Sequence, residues 1–75
     1  MNIGIDFGIT NTDIAIEAKG EYTFHSIPSR ESIDINLLED IFIALNIDQS
    51  RLSLIAVTGG KSSDLPHSFK SIPIK

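Results

Sequence analysis

Apolar and polar positions alternate from the start of the chain. Ile3, Ile5 and Phe7 fall on one face of an extended segment, Gly4 and Asp6 on the other, as in a half-buried strand over residues 2–7. After a short polar stretch the alternation resumes over 12–18, with Ile14 and Ile16 opposite Asp13, Ala15 and Glu17, which predicts a hairpin partner. Lys19-Gly20-Glu21 supplies a tight turn. Tyr22 to Ile27 is aromatic and β-branched enough for a third antiparallel strand, closed by Pro28. From 35 to 45 the period changes: Leu37, Leu38, Ile41, Phe42 and Leu45 recur at helical spacing. Asn36 with Glu39 three residues on is a capping pattern, Asp34 is the alternative cap, and Asn46 suits a left-handed stop. The run Leu52 to Thr58 reads as a buried parallel strand ended by Gly59-Gly60. A polar loop with Pro66 follows over 62–68, and residues 69–74 begin a fifth strand. The predicted order is β-β-β-α-β-(β): an α/β chain with α+β character, in which a three-strand antiparallel meander precedes a helix and a parallel strand.

Composition narrows the function classes. No repeat, low-complexity tract or linker divides the 75 residues, so residues 1–75 read as a single domain, and a chain this short buries only about 60% of its unfolded surface. Cysteine is absent and the histidines number two, which removes disulfides, thiolate metal sites and a zinc site. Ten acidic against six basic residues give a net charge of −4. That balance repels a nucleic-acid backbone. No stretch approaches the ~20 apolar residues of a membrane span, and the N-terminus has no basic targeting region. The expectation is a cytoplasmic protein with no nucleic-acid or membrane partner.

The turn Asp6-Phe7-Gly8-Ile9-Thr10-Asn11-Thr12 holds the candidate chemistry. Neither G-x-x-x-x-G-K-[ST] nor G-x-G-x-x-G occurs, and a strand, not a helix, follows Gly8, so a helix dipole cannot hold an anion here. Successive backbone N–H groups, helped by hydroxyls, are the remaining donors. Gly8 allows close approach or positive φ, and Thr10 and Thr12 can direct hydroxyls to phosphate oxygens or cap the turn. Asp6 at the strand end can hold Mg²⁺ directly or through water. The plain alternative is an ordinary hairpin whose Gly, Asn and Thr only make the turn. Against it stands Asp6, since an acid among Ile3, Ile5 and Phe7 is costly to bury without a metal or hydrogen-bond partners.

The segment Gly4 to Asp13 resembles the first phosphate motif, D-x-G-x-T-x-[ST], of the actin, heat-shock-chaperone and sugar-kinase (actin-like ATPase) superfamily, matching at Asp6, Gly8, Thr10 and Thr12. With Asp13 it looks most like the G-G-T-x-T-D opening of hydantoinase/oxoprolinase proteins, while Val57-Thr58-Gly59-Gly60 is similar to the V-T-G-G segment of type II pantothenate kinases. The resemblance is strong over residues 2–18 and loose over the rest. It implies a ribonuclease H-like half-domain at the N-terminus of a two-domain ATPase or kinase, with ATP and Mg²⁺ as cofactors. By the same resemblance Asp6 positions the metal, Gly8, Ile9 and Thr10 hold phosphates, and Gly59 and Gly60 face the cleft. Ile9 departs from the Gly or Thr usual in relatives, which costs a hydroxyl contact but not a backbone one. The adenosine pocket, second phosphate loop and catalytic carboxylate of such enzymes have no counterpart here. The implied role is one half of a nucleotide site, without turnover alone and with no catalytic residue of its own. A small-molecule substrate would bind in the complete protein.

Other residues carry weaker signals. Lys61 can meet an anion but is more often solvated, and Thr58 at a strand end is unremarkable. His25 and His67 have no adjacent nucleophile, and Glu31, Glu39 and Asp40 read as a solvated surface. The helix stripe Leu37 to Leu45 is core rather than a partner face. Two rival readings remain: a metal-dependent nuclease of the resolvase type, which needs several clustered carboxylates and a basic groove, and a non-catalytic interaction module. The open sheet edge would let the latter pair with a second copy.

Overall fold

A computed structural model describes residues 1–75 as a small α+β domain with a mixed four-stranded sheet and one helix. The strands β1 (Asn2–Phe7), β2 (Asn11–Ala18), β3 (Glu21–Pro28) and β4 (Leu54–Thr58) lie in the order β3-β2-β1-β4. β1 runs antiparallel to β2, with Ile5 opposite Ile14, and parallel to β4, with Ile3 opposite Ile55 and Asp6 opposite Thr58. The antiparallel meander followed by a helix and a parallel strand is the expected arrangement, and the predominance of antiparallel pairs gives the domain its α+β character. β2 and β3 pair one-to-one from Asn11 and Pro28 to Ala18 and Glu21. Between them Lys19 and Gly20 both take positive φ, 53° and 77°, the two-residue turn whose twist matches a hairpin.

Helix α1 (Ile35–Ala44) covers one face of the sheet. Leu37, Leu38, Ile41 and Phe42 join Ile3, Ile5, Phe7, Ile14 and Ile55 in a single buried core. The cap is Asp34, whose carboxylate accepts the Leu37 N–H at 3.0 Å, so the Asn36 alternative falls away: Asn36 lies inside the first turn. Asn46 ends the helix as expected. At φ 54° it lets its own N–H reach the Ile43 carbonyl and the Ile47 N–H reach the Phe42 carbonyl at 2.8 Å, the paired bonds of a Schellman stop. A 3₁₀ turn at Gln49–Arg51 then delivers Leu52 to the core, and Ser50 hydrogen bonds hold the Asp48 carboxyl below its ordinary pKa.

The expected fifth strand over residues 69–74 is not one strand. It folds on itself as β5 (Ser68–Phe69) and β6 (Ile72–Pro73), because Lys70 and Ser71 both adopt positive φ. Phe69 thereby reaches the ring of Phe42, with centroids 5.8 Å apart. The chain then runs beside β4: Ile74 bridges Ile55 in parallel, and Lys75 exchanges bonds of 2.9 Å with Ile55 and Val57. The β4 edge is thus partly covered, whereas β3 has no outer neighbour. The sheet face opposite α1 carries Asn2, Gly4 and Asp6 with no helix against it. No helix is long and apolar enough to cross a membrane.

Ile55 is fully buried where β4, β1 and Ile74 meet, while Ile43 on α1 is exposed. Ile55→Ala should therefore cost about 2–5 kcal/mol of unfolding free energy, and Ile43→Ala no more than about 0.5 kcal/mol. Urea denaturation followed by circular dichroism checks both.

Candidate functional site

Parallel pairing of β1 and β4 sends both strands out of the sheet at the same end. There Asp6, Phe7, Gly8 and Ile9 from the first hairpin meet Gly59, Gly60 and Lys61 from the end of β4 around an open cleft of about 380 Å³, with Arg30, Glu31 and Ile33 as the third wall. Segments more than fifty positions apart in the chain converge, and the contact is tight. A Cβ on Gly59 would lie 2.5 Å from Asp6 Oδ1 and 2.7 Å from the Phe7 carbonyl oxygen, and Gly59 holds φ +80°. Both the space and the backbone conformation demand glycine.

Backbone hydrogen bonding separates the donors that are committed from those that are not. The Gly8 N–H is used inside the turn, toward the carbonyls of Asn11 at 3.1 Å and Asp6 at 3.2 Å, so its expected role as a phosphate donor is corrected to a turn-forming one. A Cβ on Gly8 would meet the Asn11 carbonyl oxygen at 2.5 Å, which explains the glycine without a ligand. The N–H groups of Ile9 and Thr10, and of the consecutive Gly59, Gly60 and Lys61, donate to no acceptor in the chain. Three successive uncommitted N–H groups in a tight turn are the raw material of an anion nest.

Thr12 departs from the expectation as well. It is buried on the α1 side of the sheet, and its hydroxyl lies 3.1 Å from Ser29 Oγ. Ser29 gives its own proton to the Gly8 carbonyl at 2.6 Å, so Thr12 is the donor to Ser29 and neither hydroxyl is available to a ligand. Thr10 is exposed but outside the cleft lining, and its carbonyl accepts the Ser29 N–H at 3.0 Å. Ile9 is fully exposed at the tip.

Asp6 is exposed, not buried, because even-numbered positions of β1 face away from α1. The desolvation argument for a metal partner therefore does not apply. A different one does. Asp6 stands directly opposite Asp13 across the hairpin, and like charges in that position repel unless a cation lies near.

Arg30 and Ser29 carry no motif and were not legible as site residues. They arrive through the β3 connection, whose end is fixed only once β3 has paired. Arg30 Nη1 binds Asp40 Oδ2 at 2.6 Å, so Asp40 is paired rather than simply solvated, and its partner lines the cleft. Glu31 lines it too, while His25 and His67 lie outside. No group of three or more acidic, histidine or cysteine side chains gathers anywhere in the chain.

Comparison with protein-family models, with characterised proteins and with solved structures finds no match for this chain.

The glycine requirement is local and measurable. Gly59→Ala should destabilise the protein by roughly 1–3 kcal/mol, the range for a residue forced into a disallowed backbone region. Gly4→Ala, where a Cβ meets nothing within 4 Å, should stabilise it by about 0.5–1 kcal/mol. Equal effects in thermal unfolding of the two variants would contradict the geometry given for Gly59.

Proposed function

We propose that this cleft holds the phosphate groups of a magnesium nucleotide, ATP or ADP, as one half of the nucleotide site of an ATP-dependent enzyme, a kinase or a hydantoinase/oxoprolinase-like ATPase. The observation that carries the reading is the convergence of Gly59-Gly60-Lys61, with their uncommitted N–H groups, on Asp6 and the hairpin tip. The strand order β3-β2-β1-β4, with Ile74 and Lys75 parallel beyond β4, is the order a ribonuclease H-like half-domain would have, and supports the same reading.

The donor set fits Mg²⁺ bound together with phosphate. Magnesium keeps several waters and takes one or two carboxylates plus phosphate oxygens, and Asp6 with Asp13 opposite it offers that number. The ion would lower the repulsion between this acidic pair and a polyphosphate. A two-metal nuclease centre needs more: several carboxylates around both ions, whereas the acidic groups here do not form a set of three. The chain's own part is to position and to neutralise. Ile9, Gly59, Gly60 and Lys61 offer N–H donors to phosphate oxygens, the Lys61 ammonium adds positive charge at the cleft while the Arg30 guanidinium is paired with Asp40, and Gly59 keeps its floor open beside Asp6. Preformed donors of this kind stabilise charge that develops on a transferred phosphoryl group. No nucleophile paired with a base lines the cleft, so this chain by itself binds without turnover. Such a role suits a cytoplasmic protein.

Titration with MgATP or MgADP, followed through backbone amide shifts, tests this. Shifts should concentrate at Ile9, Thr10 and Gly59 to Lys61, spare Gly8, and lose their Mg²⁺ dependence in Asp6→Ala. Lys61→Ala should weaken binding by at most about fivefold, as befits an exposed ion pair worth about 0.2–1 kcal/mol. No response at millimolar nucleotide would rule the proposal out.

A further inference from the structure

β3 is the least protected part of the molecule. It is eight residues long, the outermost strand of its sheet, and every residue from Glu21 to Ser26 is exposed. Edge strands ordinarily discourage pairing with lysine, a bulge or internal proline. β3 has no lysine, its register with β2 runs without a bulge, and its proline, Pro28, is its last residue. Phe24 and Tyr22 stand 75% and 63% exposed, stacked on each other at 6.3 Å.

The free backbone groups can be assigned. Ser29 donates its N–H to the Thr10 carbonyl, and in an antiparallel ladder bonded and non-bonded pairs alternate. Counting back along the register, Ile27, His25 and Thr23 turn their N–H and C=O toward β2, and Ser26, Phe24 and Tyr22 turn theirs outward. Pro28 falls at an outward position, where its missing N–H leaves no gap in the β2–β3 ladder.

We propose that β3 pairs antiparallel with β3 of a second copy of this chain, about a two-fold axis at Phe24. In that register Phe24 faces its own copy and Tyr22 faces Ser26 of the second copy, so all three outward residues exchange both their bonds with non-proline partners. A register centred on His25 sets Tyr22 against Pro28 and two imidazoles against each other. One centred on Thr23 carries the ladder into the Gly20 turn. The chosen register sets Thr23 against His25 and Glu21 against Ile27, so no charged side chain faces another although each chain carries −4 overall. The helix does not obstruct it, since β3 is exposed on both faces. The product is a continuous eight-stranded sheet with an aromatic row, Tyr22 and Phe24 from each copy, across its centre. A second copy is the occupant because the edge is complementary to itself. The nucleotide cleft lies elsewhere, and the pairing stands independently of it.

Sedimentation equilibrium of the 75-residue chain should give twice the chain mass at high concentration. Phe24→Lys, which sets two like charges against each other at the axis, and Ser26→Pro, which removes an outward N–H without touching the β2–β3 ladder, should return it to the monomer mass with an unchanged far-ultraviolet spectrum. Because the protein has no cysteine, the register can be read by oxidation. Phe24→Cys chains should cross-link, their Cα atoms about 5.5 Å apart in a bonded pair. Tyr22→Cys chains should not, being offset by four residues, about 14 Å. A monomer at millimolar concentration, a dimer indifferent to Phe24→Lys, or equal cross-linking of the two cysteine variants would each overturn the proposal.

Discussion

The parallel pairing of β1 with β4 is the constraint from which the rest of the architecture follows. Ile3, Ile5 and Ile55 are buried together because the two strands lie side by side, and α1 is the crossover that returns the chain to the same end of the sheet. A parallel pair can be made only through such a connection. Its by-product is that both strands finish at one edge, where loops leaving the carboxyl ends of strands ordinarily form ligand clefts. Without that pairing, the hairpin tip and the Gly59-Gly60 turn would be unrelated loops.

Much of the fold was legible because it depends on local periodicity. β1 has its expected span, β2 starts one residue earlier than expected, β3 gains one residue at each end and α1 loses one at its end, since Ile3, Ile5, Phe7 and Leu37, Leu38, Ile41, Phe42 state their periods plainly. What escaped depends on contacts between distant segments. The turn at Lys70-Ser71 contains neither Gly nor Asn, so nothing announced that residues 69–74 would double back. Tertiary placement of Phe69 against Phe42 and of Ile74 against Ile55 outweighs the cost of positive φ there.

The candidate site was legible in part, for the same reason. Asp6, Gly59 and Gly60 were expected together and are adjacent. The hydroxyls misled: threonine at a turn reads as a ligand contact or as a cap with equal ease, and only the position of Ser29 decides that Thr12 is structural. Which of Gly8, Ile9 and Thr10 has a spare N–H likewise depends on how the turn closes, through the Asn11 carbonyl. Arg30 enters the cleft from a connection whose composition resembles any polar loop.

Ser29 has a consequence for how the hairpin tip is held. Through its N–H, its hydroxyl proton and its hydroxyl oxygen it engages Thr10, Gly8 and Thr12, and it is the first residue beyond β3. The tip is moored to the outermost strand of the sheet rather than to the helix-covered core. A rigid β3 gives a rigid tip; a frayed β3 lets go of three anchors in a single step. The stiffness of the cleft's hairpin wall is therefore set at the opposite margin of the sheet, by whatever keeps that margin in place.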